Sequence, residues 1–210
     1  MQTLLKRSYQ ITEKMKTVDL KAEPRQNLGT SYARKLRKEG YVPGVVYDSS
    51  GLVKHFYVRK ADIHKIVFSP EFNKVILHLD GEQYECILKD FDFHPVKDEV
   101  IHFDLQGLQP GVPVKVEIPV AFDGPSEGER LGGKLIQNVR KVKVKTIPER
   151  LVNVLRVDIR HVGLGESVRV KDLKVEEGME VLMNPNIPLA TIEIPRALKA
   201  AAAAEAKAAK

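Results

Sequence analysis

The chain has no tryptophan, one cysteine and few aromatic residues, only 6% of its 210 positions. Its cores must therefore rely on Val, Ile and Leu. The single cysteine, Cys86, makes an internal disulfide impossible, which excludes a disulfide-stapled scaffold. No apolar run is long enough for a membrane-spanning helix. Residues 1–14, MQTLLKRSYQITEK, lack the continuous apolar stretch of a secretory signal. These absences point to the cytoplasm and away from a membrane partner. The phosphate-cradling glycine loops are also missing: Gly163-Leu164-Gly165 lacks the remaining glycine of the dinucleotide pattern and opens no clear helix. The six histidines, His55, His64, His78, His94, His102 and His161, show no metal-binding helical spacing, and no cysteine cluster accompanies them. No metal and no other cofactor is expected.

What is present is charge, unevenly placed. The formal net charge is +6. Residues 16–38 hold seven Lys/Arg against two acids, a net of +5, whereas residues 39–107 hold seven bases against twelve acids, a net of −5. The first half is thus neutral in sum and polarised along its length. A basic segment of this kind suits either a polyphosphate partner or a solvated helix face.

Hydrophobic residues at 43% and charged residues at 30% fit a folded protein with a charged surface. Residues 1–14 match no pattern; Met15 begins a stretch that looks like a natural start, and what precedes it reads either as a disordered extension or as the product of an upstream start codon. Strands are expected over 17–22, 42–47 and 55–58, although Pro43 and Gly44 weaken the start of the second. Residues 24–29 read as a loop. A short basic helix is expected over 32–39, capped by Thr30 or Ser31. A second helix, 60–68, places Ile63, Ile66 and Val67 on one face. Val75, Leu77 and Leu79 share a strand face, and Asp80-Gly81 is a hairpin turn leading back into a strand over 83–91. A strand over 100–105 closes this first domain, residues 15–107. The run Gly107-Leu108-Gln109-Pro110-Gly111-Val112-Pro113 is the boundary. Beyond it, strand-like runs at 114–122, 135–146, 152–159, 167–170 and 189–194 give a second, β-rich domain, residues 108–196. Residues 197–210 form an Ala/Lys-rich tail, disordered or partly helical. The fold class is mostly β with short helices.

Catalytic candidates are few. Cys86 sits in an alternating strand as a small buried residue. His102 and Asp104 share one strand face. Such a pair serves either acid–base chemistry or hydrogen bonding to a ligand, and no nucleophile accompanies it.

Two separated stretches carry a resemblance. The run from Arg25 to Asp48, with its helix Arg34-Lys35-Leu36-Arg37 and strand Pro43-Gly44-Val45-Val46-Tyr47, resembles the opening of the bacterial large-subunit ribosomal protein twenty-five family. His94-Pro95 and, further on, His102-Phe103-Asp104 are similar to that family's later motifs. The stretches PERLVNVLRVDI, VGLGESVRVKDLKVEEG and NIPLATIEIP resemble the extra domain of its long, Ctc-type general stress subgroup. The resemblance implies a small N-terminal β-barrel that binds 5S ribosomal RNA, followed by a β-rich domain. It further implies neighbouring large-subunit components as partners, no small-molecule substrate and no catalysis. Residue by residue, it implies RNA contacts at Arg25, Arg34, Arg37, Tyr47, Lys89, His102 and Asp104. The arginines offer bidentate donors to phosphate or a guanine edge. Tyr47 offers a hydroxyl or a ring face, and Lys89 a point charge. His102 donates, and Asp104 accepts from a base amino group or a 2′-hydroxyl. The competing readings are a stress-linked factor that binds ribosomes conditionally and an enzyme using His102 and Asp104.

Overall fold

A computed structural model of the protein describes residues 15–175 and 178–196. The expected N-terminal extension and the Ala/Lys tail lie outside the described residues.

The first unit is one seven-stranded sheet that curls into a half-barrel. Its strands are β1 (Thr17–Lys21), β2 (Glu23–Pro24), β3 (Tyr41–Tyr47), β4 (Val53–Arg59), β5 (Lys74–Leu79), β6 (Glu82–Phe93) and β7 (Val100–Gly107). They lie in the order β1-β5-β6-β7-β3-β4-β2. Helices α1 (Thr30–Lys38) and α2 (Lys60–Val67) complete it. Alternation supplies the core: Val75, Leu77 and Leu79 point in from β5, Phe56 and Val58 from β4, and Phe103 and Leu105 from β7. Ile63 and Ile66 of α2 close one end. Asp80 and Gly81 both take positive φ, 55° and 81°, which gives the tight β5–β6 hairpin.

Three expectations for this half change. The loop after β1 contains the two-residue strand β2, paired to β4 through Glu23–Tyr57 and Pro24–Phe56. The N-cap of α1 is Gly29 at φ 121°, with no side-chain cap, so neither Thr30 nor Ser31 plays that role. Pro43 and Gly44 do not weaken β3. Pro43 sits where pairing to β7 has not yet begun, so its missing N–H leaves no gap on that side. Gly44 is required by packing: a Cβ there would lie 2.7 Å from Cζ of Phe103. The Phe103 ring fills that space and meets Phe56 edge to face at 5.5 Å.

The second unit holds β8 (Val114–Asp123), β9 (Lys134–Gln137), β10 (Lys141–Thr146), β11 (Leu155–Asp158), β12 (Ser167–Arg169), β13 (Glu180–Val181) and β14 (Pro188–Glu193). They form a four-stranded sheet, β11-β8-β10-β13, and a three-stranded sheet, β12-β14-β9. The single strand expected over 135–146 is therefore two strands in different sheets. Between them, the N–H groups of Asn138 and Val139 both reach the carbonyl of Leu189. A short helix, α3 (Glu127–Arg130), starts from a capping box. Ser126 accepts from the Glu129 N–H at 3.1 Å, and the Glu129 carboxylate accepts from the Ser126 N–H at 2.9 Å.

The two cores meet in a built seam. Ile87 of β6 points out of the half-barrel and belongs to the second core, where Met15, Phe72 and Leu108 also pack. The buried Asn153 bridges the backbone across it. Its amide oxygen accepts from the Lys16 N–H at 3.3 Å, and its amide nitrogen, oriented to satisfy both ends, donates to the Phe72 carbonyl at 3.1 Å. The Phe72 N–H in turn donates to the Asn153 carbonyl at 3.0 Å.

Candidate nucleic-acid interface

The outer surface of the half-barrel is set by strand parity and two bulges. On β7, His102, Asp104 and Gln106 point outward, between the buried Phe103 and Leu105. β3 runs parallel beside it and places Val45 next to Asp104 and Tyr47 next to Gln106. β4 then places His55 beside Val45. On the other side lies β6, where one extra residue, Lys89, separates the pairs Leu88–Leu105 and Asp90–Asp104. The bulge reverses the alternation. Leu88 points inward before it, and afterwards Asp90 and Asp92 point outward while Phe91 turns toward the core. Asp90 thus pairs with Asp104, and Asp92 with His102.

A second irregularity lets β7 carry the extra residue, Ile101, opposite the Asp92–Phe93 step. Its carbonyl accepts from Nε of Arg37 at 2.9 Å. This bond fastens α1 to the outer face next to His102. Leu36 and Ala33 bury the inner side of α1, while Arg34 and Lys38 are exposed. Arg25 closes the loop that leads into the helix. Its Nε donates to the Asn27 carbonyl and its Nη2 to the Gly29 carbonyl, both at 3.0 Å, and its guanidinium lies 5.9 Å from the Tyr32 ring centre. Burial and the like charge of Arg25 hold the Arg37 pKa below its ordinary value. Among the described residues neither arginine has an acidic partner within ion-pair distance. Two cations are therefore held near each other by carbonyl oxygens and, for Arg25, an aromatic ring, an arrangement that suits an anion.

The middle of the face has the opposite character. His102 Nδ1 lies 3.1 Å from Asp104 Oδ1. Burial raises the Asp104 pKa, His102 opposes that shift, and Asp90 and Asp92 add to it. Burial, with the nearby Asp104 and Asp90, also raises the Tyr47 pKa, so its hydroxyl stays protonated and can donate. Three carboxylates repel phosphate. They accept well from base amino groups and from 2′-hydroxyls. The surface therefore offers a cationic helix and loop at one end and a row of acceptors at its centre. This is the spatial form of the charge polarity in the sequence.

Of the seven sequence-predicted residues, the structure brings Tyr47, His102 and Asp104 onto one face and sets Arg37 beside them. Arg34 stands on the exposed side of the same helix. Arg25 lies in the adjoining loop, with two of its nitrogens engaged by backbone. Lys89 stands apart at the bulge, and its Nζ donates to the Lys115 carbonyl of the second unit at 2.8 Å. Sequence reasoning missed Val45, His55, Asp90, Asp92 and Gln106. The first two follow from strand alternation once β3 and β4 are paired. The aspartates are hidden by the bulge.

This face has no nucleophile of its own. Cys86 is completely buried inside the half-barrel, and burial, then Asp48 and Glu85, pushes its thiol up to about 12. Among the described residues no cluster of His, Cys, Asp and Glu is arranged to hold a metal ion. Within them no helix is long and apolar enough to cross a membrane.

Comparison with known proteins adds the relatives. The profile of the Ribosomal L25p family matches residues 20–105. That of the Ribosomal protein TL5, C-terminal domain, matches residues 113–196. The Large ribosomal subunit protein bL25 of Phocaeicola vulgatus is 37% identical over 203 residues, covering 92% of this chain and all of that protein. Its counterpart in Cytophaga hutchinsonii is 37% identical over 193 residues, 92% of this chain and all of its own length. That of Bacteroides thetaiotaomicron is 37% identical over 174 residues, 83% of this chain and 88% of its own.

Proposed function

Because the chain belongs to the Ribosomal L25p family, in its long two-domain form, it is a non-enzymatic protein of the large ribosomal subunit, and we propose that residues 15–107 hold it there by binding 5S ribosomal RNA. The observation that carries this reading is the outer face of the half-barrel. Tyr47 of β3 and His102 and Asp104 of β7 face outward from these paired strands, and Arg37 is pinned beside them by the bulged Ile101 carbonyl. In this reading Arg37 and the Arg25 loop grip phosphates, and the exposed Arg34 of α1 reads a guanine edge. The His102–Asp104 pair and Asp90 read base edges or 2′-hydroxyls. Regular A-form RNA hides its base edges in a deep, narrow groove, so the target is a distorted, non-canonical segment of the RNA.

Crosslinking in assembled large subunits tests the assignment. A photoreactive group placed at His55, within the same outward row, is expected to label 5S ribosomal RNA. Labelling of protein neighbours alone would overturn it.

A further inference from the structure

A cleft of about 630 Å³ opens where the two units meet. One wall belongs to the half-barrel and includes Tyr47, Asp90 and Asp104, three members of the outward row. The opposite wall is the second unit's four-stranded sheet, which contributes Lys115, Lys141 and Lys143. These come from paired strands β8 and β10, whose outward residues alternate with the buried Val114, Val116, Val142 and Val144.

The cleft is lined by four bases, Lys89, Lys115, Lys141 and Lys143, and four acids, Glu71, Asp90, Asp104 and Glu117, so it is neutral in sum, but the charges are not all paired. Glu117 is engaged by Lys143 at 3.5 Å, and Glu71 by Lys16 at 3.4 Å. Asp104 faces His102, and Asp90 accepts from the Phe91 N–H at 2.9 Å. Lys115 and Lys141 are exposed, and among the described residues neither has a carboxylate within ion-pair distance. Nζ of Lys141 lies 6.0 Å from the centre of the Phe91 ring. Lys89 joins the walls through the Lys115 carbonyl. The bridge at Asn153 and the shared packing of Ile87 and Phe72 fix the distance between them.

We propose that this cleft is a second phosphate-binding surface, in which Lys115 and Lys141 of the C-terminal unit hold the backbone of the RNA segment leaving the outward row past Tyr47. The inference rests on the proposed RNA-binding reading and extends it to the second unit. Continuity singles out RNA as the occupant. The same side chains, Tyr47, Asp90 and Asp104, belong both to the row and to the cleft wall, so a strand lying on one runs into the other, its bases toward the carboxylates and its phosphates toward the lysine wall. Lysine without an acidic partner suits a phosphate, and such contacts carry affinity and salt dependence rather than sequence preference.

The test is a salt series of binding constants for the full chain with a 5S ribosomal RNA transcript. Wild type is compared with Lys115→Gln/Lys141→Gln, with Lys134→Gln as a control in the other sheet, and with His102→Ala. Glutamine keeps most of the stem that lies by Phe91, and both cleft lysines are exposed, so the fold is expected to survive; equal thermal midpoints check it. The slope of log K against log salt should shrink by about one per cleft lysine, and the control should match wild type. If the double variant keeps the wild-type slope while His102→Ala weakens binding, the cleft inference fails and the proposed function stands. If wild type shows no saturable binding, the proposed function fails and takes the inference with it. If the double variant binds free RNA normally but is lost from purified large subunits, the cleft holds another partner and the inference fails.

Discussion

Replacing Asp104 with asparagine separates what the outer face does for folding from what it does for RNA. The side chain is about one-third exposed, 31%. Its pKa is raised chiefly by burial and further by Asp90 and Asp92, against the attraction of His102. A carboxyl whose folded pKa lies above its unfolded value favours the folded state fully at pH below the unfolded pKa. That contribution is lost as pH rises through the folded pKa, so the ionised group weakens the fold at neutral pH. Asparagine keeps the shape and removes the charge. The His102 pair it sacrifices is worth at most about 1 kcal/mol at this exposure. The thermal midpoint at pH 7 should therefore hold or rise, and the difference from wild type should shrink as pH falls into the range where Asp104 is protonated. RNA binding should move the other way. An acceptor aimed at a base amino group or 2′-hydroxyl becomes an amide able to present the wrong group, at a cost of about 1–3 kcal/mol, or roughly 5- to 150-fold in Kd. Calorimetry across pH and a binding titration measure the two effects. A fall in midpoint together with unchanged RNA affinity would refute the reasoning, because it would make Asp104 a structural residue.

Other perturbations probe the frame. Gly44→Ala drives a methyl into the Phe103 ring, which has Phe56 behind it; the expected loss is about 1–3 kcal/mol, with a midpoint lower by at least about 4 °C. An unchanged midpoint would mean that the ring has room to shift. Arg34→Ala should leave stability unchanged and weaken 5S ribosomal RNA binding by about 1–3 kcal/mol with reduced discrimination against an unrelated duplex, whereas Lys16→Ala, outside the face and paired to Glu71, should cost only salt-sensitive attraction. Equal losses for both would reduce the basic segment to a diffuse patch. Asn153→Ala strands the Lys16 N–H and the Phe72 carbonyl at the seam, at about 1–3 kcal/mol for each unpaired group, so amide exchange at Lys16 should accelerate. Unaltered exchange would show that the Asn153 side chain does not hold the seam.

Much of this architecture is legible in the residues. The Val75, Leu77, Leu79 stripe and the Asp80-Gly81 hairpin each carry their own local signal. What could not be read depends on partners far away in sequence. The bulge at Lys89 exists because β6 pairs with β7, and nothing in the alternation of β6 alone says that Asp90 and Asp92 belong with His102. Gly44 looks like a strand-breaker until Phe103 is placed beneath it. Lys89 carries the right charge for RNA, yet the neighbouring unit supplies a carbonyl for its ammonium. The expected strand over 135–146 has a continuous β character that hides its division between two sheets. By contrast, Ser126 and Glu129 form a capping-box signature that stands openly in the sequence and was missed.

The most direct test of the central claim is a titration of the full chain against isolated 5S ribosomal RNA at near-physiological salt, with an unrelated RNA duplex of equal length as competitor. Binding should saturate at one protein per RNA and resist the competitor, and Tyr47→Ala/His102→Ala should weaken it without lowering the thermal midpoint enough to unfold the protein. Equal affinity for the two RNAs, or undiminished binding by that folded double variant, would contradict the account.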